Sequence, residues 1–141
     1  MISNENLSPQ YATAIDVYSF SIVMWELLFE DSPYVHFTNK EKLFFESSFE
    51  NSPYFNLTNF NVLTSVVKGL RPIIPFHDES QCMRWCKQYT KEKYALEITC
   101  RTFMSLSQLI QTCWSFNPKE RPSFNQIVNE LIEIRQSLST Q

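Results

Sequence analysis

Hydrophobic positions crowd the early part of the chain without leaving a polar side. From Ala14 to Phe29, residues such as Ile15, Val17, Phe20, Val23, Trp25 and Leu28 fall on almost every face of a helix. A helix that is apolar all round must be buried all round, so this run predicts a central core helix. Asp31-Ser32-Pro33 predicts its end, because proline cannot donate to a helix and disfavours helical angles in the residue before it. A second helix is predicted from Asn39 to about Phe49, with Thr38 as cap, Glu41 reaching back to it, and Leu43 and Phe44 on its apolar side. The run Phe29 to Val35 is echoed by Phe49 to Phe55, which reads as two similar helix stops rather than a repeat array.

Further along, Phe60, Leu63, Val66 and Val67 share one face of a short amphipathic helix, and Gly69 stands where helices end with positive φ. Leu70 to Pro75 must be extended, because Pro72 and Pro75 forbid a helix. Ser80 to Tyr94 predicts a helix capped by Ser80, with Cys82, Trp85, Cys86 and Tyr89 on one side. An irregular stretch through Cys100 follows, then a short helix from Leu106 to Cys113, Trp114, and a turn at Pro118. The last helix has the clearest start: Ser123 caps it, Gln126 completes a capping box, and Phe124, Ile127, Leu131, Ile134 and Leu138 follow at helical spacing. No segment alternates convincingly as a strand. The fold class read from the pattern is mostly α.

Composition narrows the function. The 141 residues, 43% hydrophobic, suit one domain with a single core. Twelve Phe, six Tyr and three Trp against one Gly put the buried surface in large side chains and argue against linkers. A formal charge of −3 gives no footprint for nucleic acid, which needs clustered Lys and Arg. The most apolar segment, Ile15 to Phe29, is interrupted by Asp16, Ser19, Ser21 and Glu26, so no membrane insertion is expected of it. Cys82, Cys86, Cys100 and Cys113 are irregularly spaced and read as reduced, buried thiols in a cytosol. That compartment makes the sequon Asn56-Leu57-Thr58 a chance match. Cys82 and Cys86 with nearby His77 lack a fourth zinc ligand, and Arg84, Lys87, Lys91 and Lys93 read as a solvated face.

Three blocks carry a resemblance: Asp16 to Leu28, with its Asp-Val-Tyr-Ser-Phe start and Trp25-Glu26-Leu27; Val67 to Pro75; and Leu109 to Phe124. In this order they resemble helix F, the link after helix G, and the helix H to helix I signature of the protein kinase catalytic domain, in the style of its tyrosine-kinase and tyrosine-kinase-like groups. The resemblance implies a partial kinase C-lobe, helices F to I, over residues 1–141, with helical insertions around helix G at approximately 36–58 and 76–104. Leu43, Phe44, Trp85 and Tyr89 imply that these insertions pack on the helix G side.

The resemblance also assigns roles. Asp16 matches the helix F acid that accepts backbone hydrogens from the catalytic loop, and Val23 and Leu27 match positions on which the catalytic spine rests. Arg121 matches the arginine that pairs with the glutamate closing the activation segment, within a packed site formed by Trp114, Pro118 and Pro122. Trp25 is core in this scheme, and Glu26 is an ion-pair partner or part of a substrate-facing edge. Ser21 departs from the glycine usual there.

Phosphoryl transfer by a kinase needs a Gly-rich loop, a strand lysine, a His-Arg-Asp loop with its asparagine and an Asp-Phe-Gly magnesium ligand. The 141 residues contain none of these motifs. The expectation is therefore no catalytic, cofactor or metal residue here, with ATP and Mg²⁺ needed only by an intact parent kinase whose activity is phosphorylation of protein hydroxyls in signalling. The alternative is a noncatalytic, pseudokinase-like interaction module docking a protein partner through the helix G region. A further expectation is that helix F loses cover on one side, leaving the isolated chain sticky.

Overall fold

A computed structural model describes residues 9–38 and 57–139. Its regular elements, among these residues, are all helical: α1 Pro9–Phe29, α2 Val35–Thr38, α3 Asn59–Val67, α4 Glu79–Cys86, α5 Lys93–Cys113, a 3-10 turn Pro118–Glu120, and α6 Phe124–Ser139. The fold is mostly α, as the pattern requires. The helix expected from Asn39 to Phe49 lies outside the described residues.

Helix ends follow local chemistry. α1 stops at Phe29 because Glu30 takes a left-handed φ of 52° while its N–H still reaches the Glu26 carbonyl, and Asp31 then accepts from the Ser32 amide. Gly69 has the expected positive φ, 110°, and the amide of Leu70 turns back onto the Ser65 carbonyl. At α6 both halves of the capping box form, Ser123 N–H to Gln126 Oε1 at 2.8 Å and Gln126 N–H to Ser123 Oγ at 3.2 Å. Thr58 caps α3 by accepting from the Asn61 amide.

The region between Phe76 and Cys113 departs from expectation. Asp78, not Ser80, caps α4, which ends at Cys86 instead of running to Tyr94. The stretch read as irregular is the first half of α5, a continuous 21-residue helix capped by Glu92, whose carboxylate accepts from the Tyr94 and Ala95 amides. That double acceptance at a helix start stabilises the carboxylate and draws its pKa below the usual range.

α5 is the spine of the packing. Val17 from α1, Leu109 and Cys113 from α5 and Ile127 from α6 form one buried cluster. A larger one gathers Trp25, Ile74, Phe76, Cys82, Leu96 and Ile110. The segment 76–104 is thus helical, with α4 packed against α5 and the carboxyl end of α1, where Phe29, Trp85 and Phe103 meet edge to face and Tyr89, though 57% exposed, lies against Trp85 and Phe103.

Two helices present faces that the hydrophobic pattern did not foresee. α1 is not buried all round, against its hydrophobic pattern but in line with the expected loss of cover on one side of helix F: Val17, Ser21 and Trp25, four residues apart, form its covered stripe, while Ile15, Val23 and Leu27 are exposed, Leu27 by 76%. On α3 the expected apolar face is the outer one, with Phe60, Leu63 and Val67 exposed and Val62 and Ser65 turned inward. At its end the Leu70 amide closes this nine-residue helix on the Ser65 carbonyl.

Exposed apolar faces of this kind drive association. Leu27→Glu is expected to raise the monomer fraction of the purified full chain in size-exclusion chromatography while moving the thermal midpoint by no more than about 2 °C, since a fully exposed surface position contributes little to stability.

Candidate functional site

Tyr18 stands at the meeting point of the three blocks. The guanidinium of Arg71, from the segment after α3, lies over its ring at 4.9 Å from the centroid, and that of Arg121, after the 3-10 turn, at 5.1 Å. Each contact is of cation–π type, worth roughly 0.5 to 2 kcal/mol depending on desolvation.

Main-chain oxygens hold both arginines. Arg71 Nε donates to the Trp114 carbonyl at 2.8 Å, and its Nη1 donates to Leu70 at 2.9 Å and Val66 at 3.2 Å. Arg121 Nε donates to Ser115 at 2.9 Å, and Nη1 to Ala14, across 107 residues, at 2.9 Å. A planar fork spreads its donors over three nitrogens in fixed geometry and so reaches separate carbonyls, whereas a lysine's three donors share one nitrogen. The Tyr18 hydroxyl meets that of Tyr34 at 3.2 Å, and burial with this hydrogen bond raises the Tyr34 pKa well above its ordinary value. Nearby, Trp25 Nε1 donates to the Ile73 carbonyl at 2.9 Å, pinning the extended segment to α1.

Among the described residues the one ion pair is His36 with Asp31, so neither Arg71 nor Arg121 has a carboxylate partner. Burial, and then repulsion from Arg71, lowers the Arg121 pKa. Beside Arg121 opens a cavity of about 700 Å³ lined by Tyr11, Ala14, Pro118, Pro122, Ser123 and others.

The candidate residues fall into two groups. Trp25 and Trp114 are buried, and Arg121, Pro118 and Pro122 are half-buried in one packed turn, with Pro118 opening the 3-10 helix. Asp16, Val23, Glu26 and Leu27 are exposed along α1 and meet none of that turn in a hydrogen bond or ion pair. Tyr18 and Arg71 lie inside the first and second blocks, where the resemblance assigns them no role; the available signal is a tyrosine and an arginine each inside a matching block.

The thiols form a separate cluster. Cys82 and Cys86 sulfurs are 3.9 Å apart, Cys82 donates to the Cys100 carbonyl, and all four cysteines are free and buried. Burial raises the pKa of Cys82 and Cys86, and that of Cys113 to about 11 from 9.0. Raised pKa values hold these thiols protonated, the opposite of a nucleophile's requirement. No group of three or more His, Cys, Asp or Glu side chains suited to a metal occurs among the described residues.

Residues 66–131 match the family model described as protein tyrosine and serine/threonine kinase. Among curated proteins of Dictyostelium discoideum, the chain is 29% identical over 130 residues to the probable serine/threonine-protein kinase roco7, covering 92% of this chain and 4% of that protein. It is 32% identical over 124 residues to the dual specificity protein kinase shkD (88% and 11%), and 36% over 119 residues to shkA, of the same description (84% and 15%). The chain thus spans a small part, 4 to 15%, of the length of these relatives. No solved structure matches significantly.

Two measurements probe the site. Tyr18→Phe keeps the ring and is expected to cost about 1 kcal/mol in urea unfolding for the lost hydroxyl contact, whereas Tyr18→Leu should cost roughly 1 to 3 kcal/mol more as both cation–π contacts go. For the thiols, a raised folded pKa means that the unfolded chain loses its proton first. The thiol contribution to stability is then constant below about pH 9 and falls as pH rises toward 11, the window set by Cys113. Urea midpoints across that range in reducing buffer should show the fall, and Cys113→Ala should flatten part of it.

Proposed function

The chain carries the carboxy-terminal part of a protein kinase domain, and we propose that it serves there as the rigid platform on which ATP-binding and catalytic parts from elsewhere in the domain rest. The parent activity in this reading is ATP-dependent phosphorylation of protein hydroxyls, and the chain by itself is inactive. The observation that carries it is the Arg121 guanidinium, held in place by the Ala14 and Ser115 carbonyls beside an open cavity, with no carboxylate partner among the described residues. A half-buried cation so positioned calls for an anion, and the glutamate closing an activation segment supplies one.

In this reading ATP and Mg²⁺ are held by other parts of the domain and not by this chain. Gly69, the sole glycine, terminates α3 and cannot contribute to a phosphate loop. The exposed Val23 and Leu27 support the platform reading, since they offer an apolar seat along α1. α1, 21 residues long, contains an 18-residue window with a mean hydropathy of 1.4, the length and composition of a membrane span. Its hydrogen bonds to Arg121 and Ile73 and its covered stripe support a core helix instead of a bilayer span; the reading places the chain in the cytosol, without a nucleic-acid partner.

A second reading, a noncatalytic module that docks a protein partner, draws support from the exposed Phe60, Leu63 and Val67 on α3. Calorimetric titration of the full chain with Mg-ATP and a phosphate-transfer assay on protein substrates test the first reading. No heat at micromolar nucleotide and no transfer is the expected result; micromolar binding or turnover by pure chain would refute it.

A further inference from the structure

A groove of about 1090 Å³ runs between the extended segment Leu70–Phe76 and α5, roofed in part by α4. One wall is a stripe on α5, where Glu97, Arg101, Met104, Gln108 and Gln111 follow at spacings of four and three, the repeat of one helix face. The opposite wall is extended backbone. Among the described residues the amides of Ile73, Ile74 and Phe76 meet no acceptor, and the main chain of this wall is joined to α1 only through the Ile73 carbonyl.

Ser107, on the same wall as the glutamines, is 2% exposed and lines the groove, yet its Oγ has no hydrogen-bond partner. Helical serines commonly satisfy themselves on a preceding carbonyl, as Ser21 does at 2.6 Å, so a buried hydroxyl left open is a cost. Arg71 also lines the groove, and its charge meets carbonyl oxygens but no carboxylate. Met83 and Met104 supply flexible apolar surface between the polar groups.

We propose that this groove binds an extended segment of a partner protein, about six residues long, which sets an aliphatic side chain against Met83 and Met104 and an acidic one toward Arg71. Length follows from geometry: Glu97 to Gln111 spans about 21 Å of helix at ~1.5 Å per residue, the reach of about six extended residues at ~3.3 Å each. Chemistry follows from the lining. Side-chain amides that both donate and accept, open backbone amides and a partnerless hydroxyl suit a peptide main chain. The uncompensated Arg71 charge selects the acid.

The probe is a phage-displayed library of random dodecapeptides selected on the full chain, with enriched sequences resynthesised. Titration is followed by fluorescence anisotropy and by the methyl NMR signals of Met83 and Met104, with Met24 on α1 as reference. The expected result is a shared motif with one acidic and one aliphatic position, shifts confined to Met83 and Met104, and at least tenfold weaker binding to Met104→Arg. Ser107→Ala should weaken binding about fivefold with the urea midpoint unchanged or raised, and amidating the peptide's acid should weaken it about tenfold. The proposal is overturned if no motif emerges, or if winners shift Met24 instead. It also fails if Met104→Arg dissociates a self-associated chain without peptide, which assigns the groove to a second copy, or if an acyl detergent alone reproduces the methyl shifts while peptides do not.

Discussion

Two guanidinium groups over one tyrosine ring impose the constraint on which the packing depends. Arg71 and Arg121 are half-buried, repel each other, and lack a carboxylate among the described residues. Their five hydrogen bonds therefore reach wherever carbonyl oxygens can be supplied, and the chain must bring those oxygens to them. Trp114 and Ser115 come from the end of α5, Val66 and Leu70 from the end of α3, and Ala14 from α1. Meeting these donors fixes where three helices stop or cross, because the carbonyls freed at a helix terminus are the ones most available to accept. Trp25, donating to Ile73, repeats the scheme about two turns beyond Tyr18 along α1.

What was legible in the sequence was local. Ser123 and Gln126 announce a helix start because both partners of the capping box lie within four residues, and Gly69 announces a left-handed turn because few other residues adopt one without strain. Block order sufficed for the kinase domain and its helical architecture. The covered side of α1 was not legible, since a helix with apolar residues on every face carries no periodic signal to choose among them. The choice lies with Arg121 and the α5 surface, far away in sequence. α3 was misjudged for a related reason: nine residues give a short stripe, and the side that is covered, Val62 and Ser65, is set by packing with distant chain rather than by that stripe.

The site shows the same division. Arg121, Trp114, Pro118 and Pro122 were found because they sit together in one short turn. Tyr18 and Arg71 were passed over because a tyrosine in an apolar helix and an arginine before a proline are unremarkable until folding brings them together. α5 was cut short because its first half, where the polar Glu97 and Arg101 line a groove, resembles a loop when read in order, and joins Gln108 and Gln111 in one helix face only when read at intervals of three and four.

The arginines' choice of acceptors has an evolutionary corollary. A carboxylate pair ties two positions together, so that change at one invites change at the other. Arg71 and Arg121 grip only main chain, which every residue supplies alike, so Ala14, Val66 and Ser115 can be replaced by other side chains without breaking these joints. Selection then acts on the two arginines and on Tyr18 alone, and the acceptor positions drift. In an alignment of descendants these joints would leave invariant single columns and no correlated ones, so the contacts holding the helices together would be the ones that coupled substitutions fail to mark.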